Sequence, residues 1–251
     1  FFHAMFSFGA GVGAASGILA AALNIELFFH FIIVSLVAIP VYVWVRKNSN
    51  KQVRIATKNE SKQTFSFPRG KLLLVALVAF SCALGEGAMA DWASVYMFSE
   101  VNSSHAQAAL AYTIFSIFMV LTRLGGQRII KVLGVVNTVK TCAISSMIGA
   151  ILLVTVTNTQ ISYFAFALLG IGYAIIMPLA FSKAAKINKE NTGTAIAGIA
   201  MFAYGGMLLG PVLIGVLAEL SSLKSAFCTF IILSVFVLLS SNQFNDVRNN
   251  T

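Results

Sequence analysis

Apolar runs long enough to cross a bilayer recur eight times along this chain, and no other feature narrows its fold as much. A hydrocarbon core about 30 Å thick is crossed by roughly 20 helical residues. The runs fall at Phe1 to Leu23, Leu27 to Val45, Lys71 to Phe98, Ala106 to Leu124, Val136 to Thr157, Gln160 to Phe181, Gly193 to Glu219 and Lys224 to Ser241. Hydrophobic residues make up 58% of the sequence and charged residues 10%. Soluble domains carry roughly 25% charged residues, so water is not the solvent for most of this chain. A transmembrane barrel would need segments of about ten residues alternating apolar and polar, and the sequence has none. The expected fold class is an all-α membrane protein with eight transmembrane helices.

The net charge of +9 would suggest nucleic acid in a soluble protein, but here the charges sit between apolar runs and no nucleic-acid partner is expected. Arg46, Lys47, Lys51, Arg54, Lys58, Lys62, Arg69 and Lys71 follow the second run. Arg123, Arg128, Lys131 and Lys140 follow the fourth, and Lys183, Lys186 and Lys189 the sixth. The alternate connections carry only Lys224. Loops rich in Lys and Arg stay in the cytoplasm, so all three basic loops and both termini are expected there. The chain begins at Phe1 within an apolar stretch and without a basic flank, which argues against a cleavable signal peptide. Cys82, Cys142 and Cys228 fall singly in apolar segments and read as small core residues. His3, His30 and His105 are scattered without the spacing of a metal site. No phosphate-binding glycine loop is present to drive pumping by ATP. No metal and no cofactor is expected.

The first and seventh runs resemble each other, Ala4-Met5-Phe6-Ser7-Phe8-Gly9 against Ala200-Met201-Phe202-Ala203-Tyr204-Gly205. Six helices separate their starting points, the period expected of two six-helix halves built as parallel repeats. On that period four helices lie upstream. Residues 1–45 would then be the last two helices of an N-terminal bundle, residues 46–70 a basic cytoplasmic linker, and residues 71–251 a C-terminal six-helix bundle. Small residues spaced by about four let membrane helices approach closely. Gly9, Gly13 and Gly17 in the first run, and Gly205, Gly206, Gly210 and Gly215 in the seventh, are read as packing or hinge positions; Pro211 loosens the local hydrogen-bond ladder.

Three stretches make the chain similar to the major facilitator superfamily, over that family's helices five to twelve. One is the glycine-rich seventh run. A second is Arg123-Leu124-Gly125-Gly126-Gln127-Arg128-Ile129-Ile130-Lys131-Val132-Leu133-Gly134, which resembles the family's short cytoplasmic loop of glycine, acid and basic residues. The resemblance implies a cytoplasmic gate loop of Arg123, Gly126, Gln127, Arg128 and Lys131. Gln127 stands where the family carries an acid, so a charge-pair latch at that position is not implied. The third is Leu84-Gly85-Glu86-Gly87-Ala88-Met89-Ala90-Asp91-Trp92-Ala93-Ser94-Val95-Tyr96, which looks like the seventh helix of YbjJ-like bacterial inner-membrane permeases, relatives of fucose permease. The resemblance implies a transmembrane transporter in a bacterial inner membrane, secondary active and working by alternating access, acting as a monomer at full length.

Transport needs polar or ionisable groups near the midplane, and few are present. Glu86 lies about 21 Å up its helix from Leu72 at 1.5 Å per residue. An ionised acid there costs several kcal/mol unless a cavity, a partner or a proton relieves it. It reads as a proton-coupling site or as a permanently bonded structural carboxyl. Asp91 is about 140 degrees around the helix from Glu86 and nearer the headgroups, so it is either a pathway or an interfacial residue. Trp92 and Tyr96, one turn apart, suit an aromatic belt or stacking on a flat solute. The resemblance places Tyr173 on a cavity-lining helix, where a packed aromatic is the alternative. The expected partners are an unidentified small solute, protons and the bilayer. A non-transporting assembly or sensor protein on the same helices stays open. An integral membrane enzyme would need a cytoplasmic-face cluster of His, Asp or Glu, which the sequence does not show.

Overall fold

A computed structural model of the chain describes residues 9, 12–13, 15–20, 22–49, 67–188 and 191–245. His3, the Ala4 to Phe8 part of the repeat, the linker basics Lys51, Arg54, Lys58 and Lys62, and Lys189 lie outside the described residues. Among the described residues all regular elements are helical. The described part of the first run is helical, with Asn24 at a positive φ of 51° in the turn that follows. The helices after it are α1 (Leu27–Ser49), α2 (Lys71–Ser99), α3 (His105–Leu133), α4 (Val135–Thr155), α5 (Thr159–Ala174), α6 (Ile176–Ile187), α7 (Thr192–Leu220), α8 (Leu223–Ala226) and α9 (Cys228–Ser240). A short 3-10 turn, Ser241–Phe244, follows. Seven of the described helical stretches are long and apolar enough to span a membrane.

The turns follow from local chemistry. The first backbone N–H groups of a helix have no partner within it and take side-chain acceptors. Ser104 and Gln107 form a reciprocal capping box at α3, Asn158 caps α5 through Gln160 N and Ile161 N at 3.0 and 3.1 Å, and Ser222 caps α8 through Ser225 N. At the opposite end of the bundle Gly134 alone joins α3 to α4. Its φ of 76° lies in the region that glycine enters without steric cost.

Three expectations are corrected. The fourth run does not end at Leu124: the helix continues to Leu133, so the glycine-and-basic segment from Arg123 to Lys131 is helical and the loop shrinks to Gly134. The sixth run does not end at Phe181 and is not continuous; it breaks at Ile175 and resumes as α6 to Ile187, so Lys183 is a buried helical residue whose ammonium donates to the Asn245 carbonyl, not a loop residue. The eighth run is interrupted at Phe227.

The helix α2 lies at the centre, packed on α7 most extensively and also on α3, α5, α6 and α9. In lipid the attraction between helices comes from van der Waals packing and interhelical hydrogen bonds, so backbones must come close. Gly206 and Gly210 of α7 sit against the carbonyl oxygens of Phe80 and Leu84, and Gly87 of α2 against that of Met207; a Cβ at any of these would strike backbone. Gly215 leaves room for the Trp92 ring. A Cβ at Gly9, Gly13, Gly17 or Gly205 would meet nothing within 4 Å, so the small-residue packing expected at those positions is not made among the described residues. Hydrogen bonds add ties: Ser146 Oγ to Ser234 Oγ at 2.8 Å joins α4 to α9, and Ser145 Oγ to the Leu168 carbonyl at 2.8 Å joins α4 to α5. The helix α1 is apolar on all sides and exposed along its described length apart from half-buried His30, which meets Ser16 Oγ at 3.1 Å.

Candidate functional site

The site begins with a missing proton donor. In an α-helix the carbonyl of Ala174 would accept from the backbone N–H four residues on, which is Pro178, and proline has none. The helix breaks there, between α5 and α6. A buried carbonyl without a partner is costly, and Arg123 of α3 supplies one, its Nε donating to Ala174 O at 2.9 Å. The same guanidinium meets Glu86 of α2, Nη2 to Oε2 at 3.1 Å. The Arg123 and Glu86 side chains are only 4% and 11% exposed. Arg123 is therefore not a gate-loop residue; it is a buried cation that ties α3 to α2 and to the break between α5 and α6.

Glu86 also forms part of the wall of a cavity of about 560 Å³, with Ala90, Asp91, Tyr112, Tyr204 and Pro211 among the other lining residues. A second cavity of about 320 Å³ shares Asp91, Pro211 and Val212 and is bounded by Trp92. The angular offset between Glu86 and Asp91 does not separate them, because the cavity wraps around α2 and both reach it. Asp91 is exposed and makes no ion pair among the described residues.

The other expected pathway residues are placed differently. Trp92 Nε1 donates to the Pro211 carbonyl at 2.9 Å, so the indole fastens α2 to α7 at the edge of the cavity. Tyr96 is fully buried, stacked on Phe227 at 4.4 Å, with its hydroxyl donating to the Leu153 carbonyl; it is a packing residue away from the cavity. Tyr173 is buried against Gly85 and Phe115 and does not line the cavity, and its hydroxyl has no hydrogen-bond partner among the described residues. Gly126 is buried against Ile175, while Gln127, Arg128 and Lys131 lie along the last turns of α3, with Gln127, Arg128 and Lys131 exposed.

Sequence reasoning missed Tyr112 and Tyr204 as cavity residues and missed the role of Pro178. The proline was a usable signal, since its effect on the carbonyl four residues back is local. Arg123 could also have been paired with Glu86, because intramembrane charges pair with one another.

An apolar-sided helical bundle with a buried ion pair beside an open, largely apolar cavity defines a polytopic α-helical membrane protein. Comparison with known proteins narrows the class. The Major Facilitator Superfamily model matches residues 1–184 and 75–242, and the chain belongs to that family. It is 36% identical over 231 residues to the uncharacterized transporter y4wD of Sinorhizobium fredii (strain NBRC 101917 / NGR234), covering 92% of this chain and 60% of that protein. It is 32% identical over 240 residues to an uncharacterized MFS-type transporter of Yersinia pestis, covering 96% and 62%. It is 27% identical over 179 residues to the membrane protein MosC of Rhizobium meliloti, covering 71% and 44%. The chain thus spans about three-fifths of the length of the first two relatives. No solved structure matches it.

Proposed function

We propose that this chain forms the C-terminal part of a secondary active transporter that moves a small solute by alternating access, with Glu86 as the site of proton coupling. The observation that carries the reading is the buried Glu86–Arg123 pair on the wall of a cavity. Ions are expensive at this depth, and those that persist mark substrate or proton pathways. Family membership and the relatives named as transporters support the same reading. Residues 1–45 are the end of an upstream bundle, residues 46–70 a cytoplasmic linker, and residues 71–251 the downstream bundle, in a bacterial inner membrane with both termini cytoplasmic. Asp91, Tyr112 and Tyr204 contact the solute. With the Glu86 charge met by Arg123, the Asp91 carboxylate favours a neutral or cationic solute over an anionic one. Trp92, Tyr96 and Tyr173 hold the wall in place, while Gln127, Arg128 and Lys131 meet the opposite half near the cytoplasmic end.

The test is uptake by the full-length protein in vesicles, with and without an imposed pH gradient, comparing the parent with Glu86→Gln. Gln keeps an acceptor oxygen for Arg123 but cannot cycle a proton. Uphill accumulation is expected to be lost while solute exchange survives. Accumulation at the parent level in the variant would remove Glu86 as the coupling site.

A further inference from the structure

We infer that the solute is an organic ammonium ion, protonated or quaternary, with an apolar body, held by its cationic head at Asp91 beside the rings of Tyr112 and Tyr204. This names the class of solute that the same cavity takes, and it rests on the transport reading above.

The cavity wall is rich in acceptors and poor in donors. Its charged groups are two carboxylates: Glu86, met by Arg123 at 3.1 Å, and Asp91, which is exposed and makes no ion pair among the described residues. The other polar side chains are the phenols of Tyr112 and Tyr204. A backbone oxygen adds to this. The Met207 carbonyl would accept from the N–H four residues on, which is Pro211, and proline has none. That oxygen lies against Gly87 of α2, and Met207, Gly87 and Pro211 all line the cavity. Among the described residues no Lys, Arg or His lines either cavity, so nothing on this wall answers an anion. No amide side chain and no aliphatic hydroxyl lines them either. A sugar ring would leave most of its hydroxyls unanswered on this wall, and polar groups buried without partners are costly.

An ammonium head suits what the wall does offer. The Asp91 carboxylate attracts it by charge, and aromatic faces attract cations because their π clouds are negative. The body is accommodated by apolar wall. Ala90, Leu208 and Val212 line the cavity of about 560 Å³, a size within the roughly 300–1,000 Å³ of small-molecule sites. Asp91 lies where this cavity meets the smaller one bounded by Trp92 and Val95, since both share it with Pro211 and Val212. A head at Asp91 therefore leaves apolar wall on two sides for its substituents. A bare metal cation fits this wall badly, because it needs a shell of several oxygens and the largely apolar lining does not supply one.

The experiment titrates matched probes against the thermal melt of the full-length protein in lipid nanodiscs, since a ligand of the folded state raises the melt in a saturable way. The probes are benzyltrimethylammonium, tetramethylammonium, choline, its neutral isostere 3,3-dimethylbutanol, phenylacetate and methyl glucoside. Benzyltrimethylammonium is expected to act at about one-tenth of the tetramethylammonium concentration or less, because it adds an apolar body. Choline is expected to bind about tenfold or more tighter than 3,3-dimethylbutanol, and Asp91→Asn to bring the two to parity. Tyr204→Leu should weaken benzyltrimethylammonium by about fivefold, while Tyr204→Phe, which keeps the ring, binds it as the parent does. Tyr204 is exposed, so neither variant is expected to disturb folding, and the probe series on the parent carries the test if one does. A melt that responds to none of the ammonium ions overturns the inference, whatever phenylacetate or methyl glucoside does. Equal affinity for choline and 3,3-dimethylbutanol, or for benzyltrimethylammonium and tetramethylammonium, overturns it too. Saturable ammonium binding by a protein that accumulates no ammonium ion in vesicles under a pH gradient sinks the transport reading instead, so the two failures are distinguishable.

Discussion

At the scale of single residues, the Glu86–Arg123 pair has a lopsided energetic character. Two charges removed from water and set against each other contribute little net stability, but removing one strands the other, at a cost of about 3–5 kcal/mol. Arg123→Met is expected to lower the stability of the full-length protein by that order at neutral pH. The loss should shrink as pH falls and the stranded carboxylate takes up a proton. Chemical denaturation in detergent at two pH values checks both statements, and an equal loss at each pH would mean that the carboxylate was never the stranded group. Asp91 makes a different case, because its carboxylate is exposed on the cavity. Asp91→Asn should weaken binding of a cationic solute by about tenfold or more, the worth of a hydrogen bond to a charged group. Equilibrium binding of amine-bearing solutes and their neutral isosteres reads this directly, and an equal effect on both would remove charge as the basis of selection. The intramembrane position of Glu86 was legible because an acid inside an apolar run is conspicuous. Its partner was not, because the same basic residue counts toward a cytoplasmic loop in any tally of Lys and Arg.

Among the elements, the contact of α2 with α7 carries the sharpest expectation. A Cβ at Gly210 would fall on the Leu84 carbonyl and one at Gly87 on the Met207 carbonyl, and backbone cannot turn aside as a flexible side chain can. Gly210→Ala or Gly87→Ala should therefore destabilise by about 1–3 kcal/mol, the range for overpacking. Gly205→Ala meets open space and should be neutral or stabilising by up to about 1 kcal/mol, since alanine is the better helix former. Thermal unfolding of the three variants side by side separates close packing from simple glycine content. The spacing of small residues alone did not distinguish Gly205 from Gly206, since a one-residue step turns the side of the helix by about 100 degrees. The end of α3 was misplaced for a related reason. Glycine and basic residues were read as a turn, yet within a helix they suit its last turns, where cations meet the exposed carbonyls.

Taken as a whole molecule, the chain has an open side: α1 is exposed along its described length apart from half-buried His30, and the cavity faces outward from α2, α3 and α7. We expect these residues alone not to accumulate solute, because a site between two halves needs both. Vesicles containing only this chain should fail under a pH gradient that drives uptake by the full-length protein, and matching rates would refute the arrangement. Topology is checked by single cysteines. Those at Lys131 and Lys186 should label from the cytoplasm, and those at Ser104 and Ser221 from outside, all four positions being exposed. Labelling of Lys131 and Ser104 from one side would break the map.

The sequence by itself determined that the chain crosses a membrane repeatedly and that its basic residues fall in alternate connections, because span length, hydrophobicity and loop charge are one-dimensional properties written locally. It also contained the Pro178 lesion in the α5–α6 ladder. Only the tertiary structure decided which side chains answer each other. Glu86, Arg123 and Ala174 lie on three helices, and no period or spacing states which faces of those helices meet. Their meeting is fixed by how closely Gly87, Gly206 and Gly210 let α2 and α7 approach and by where α3 and α5 then fit around them.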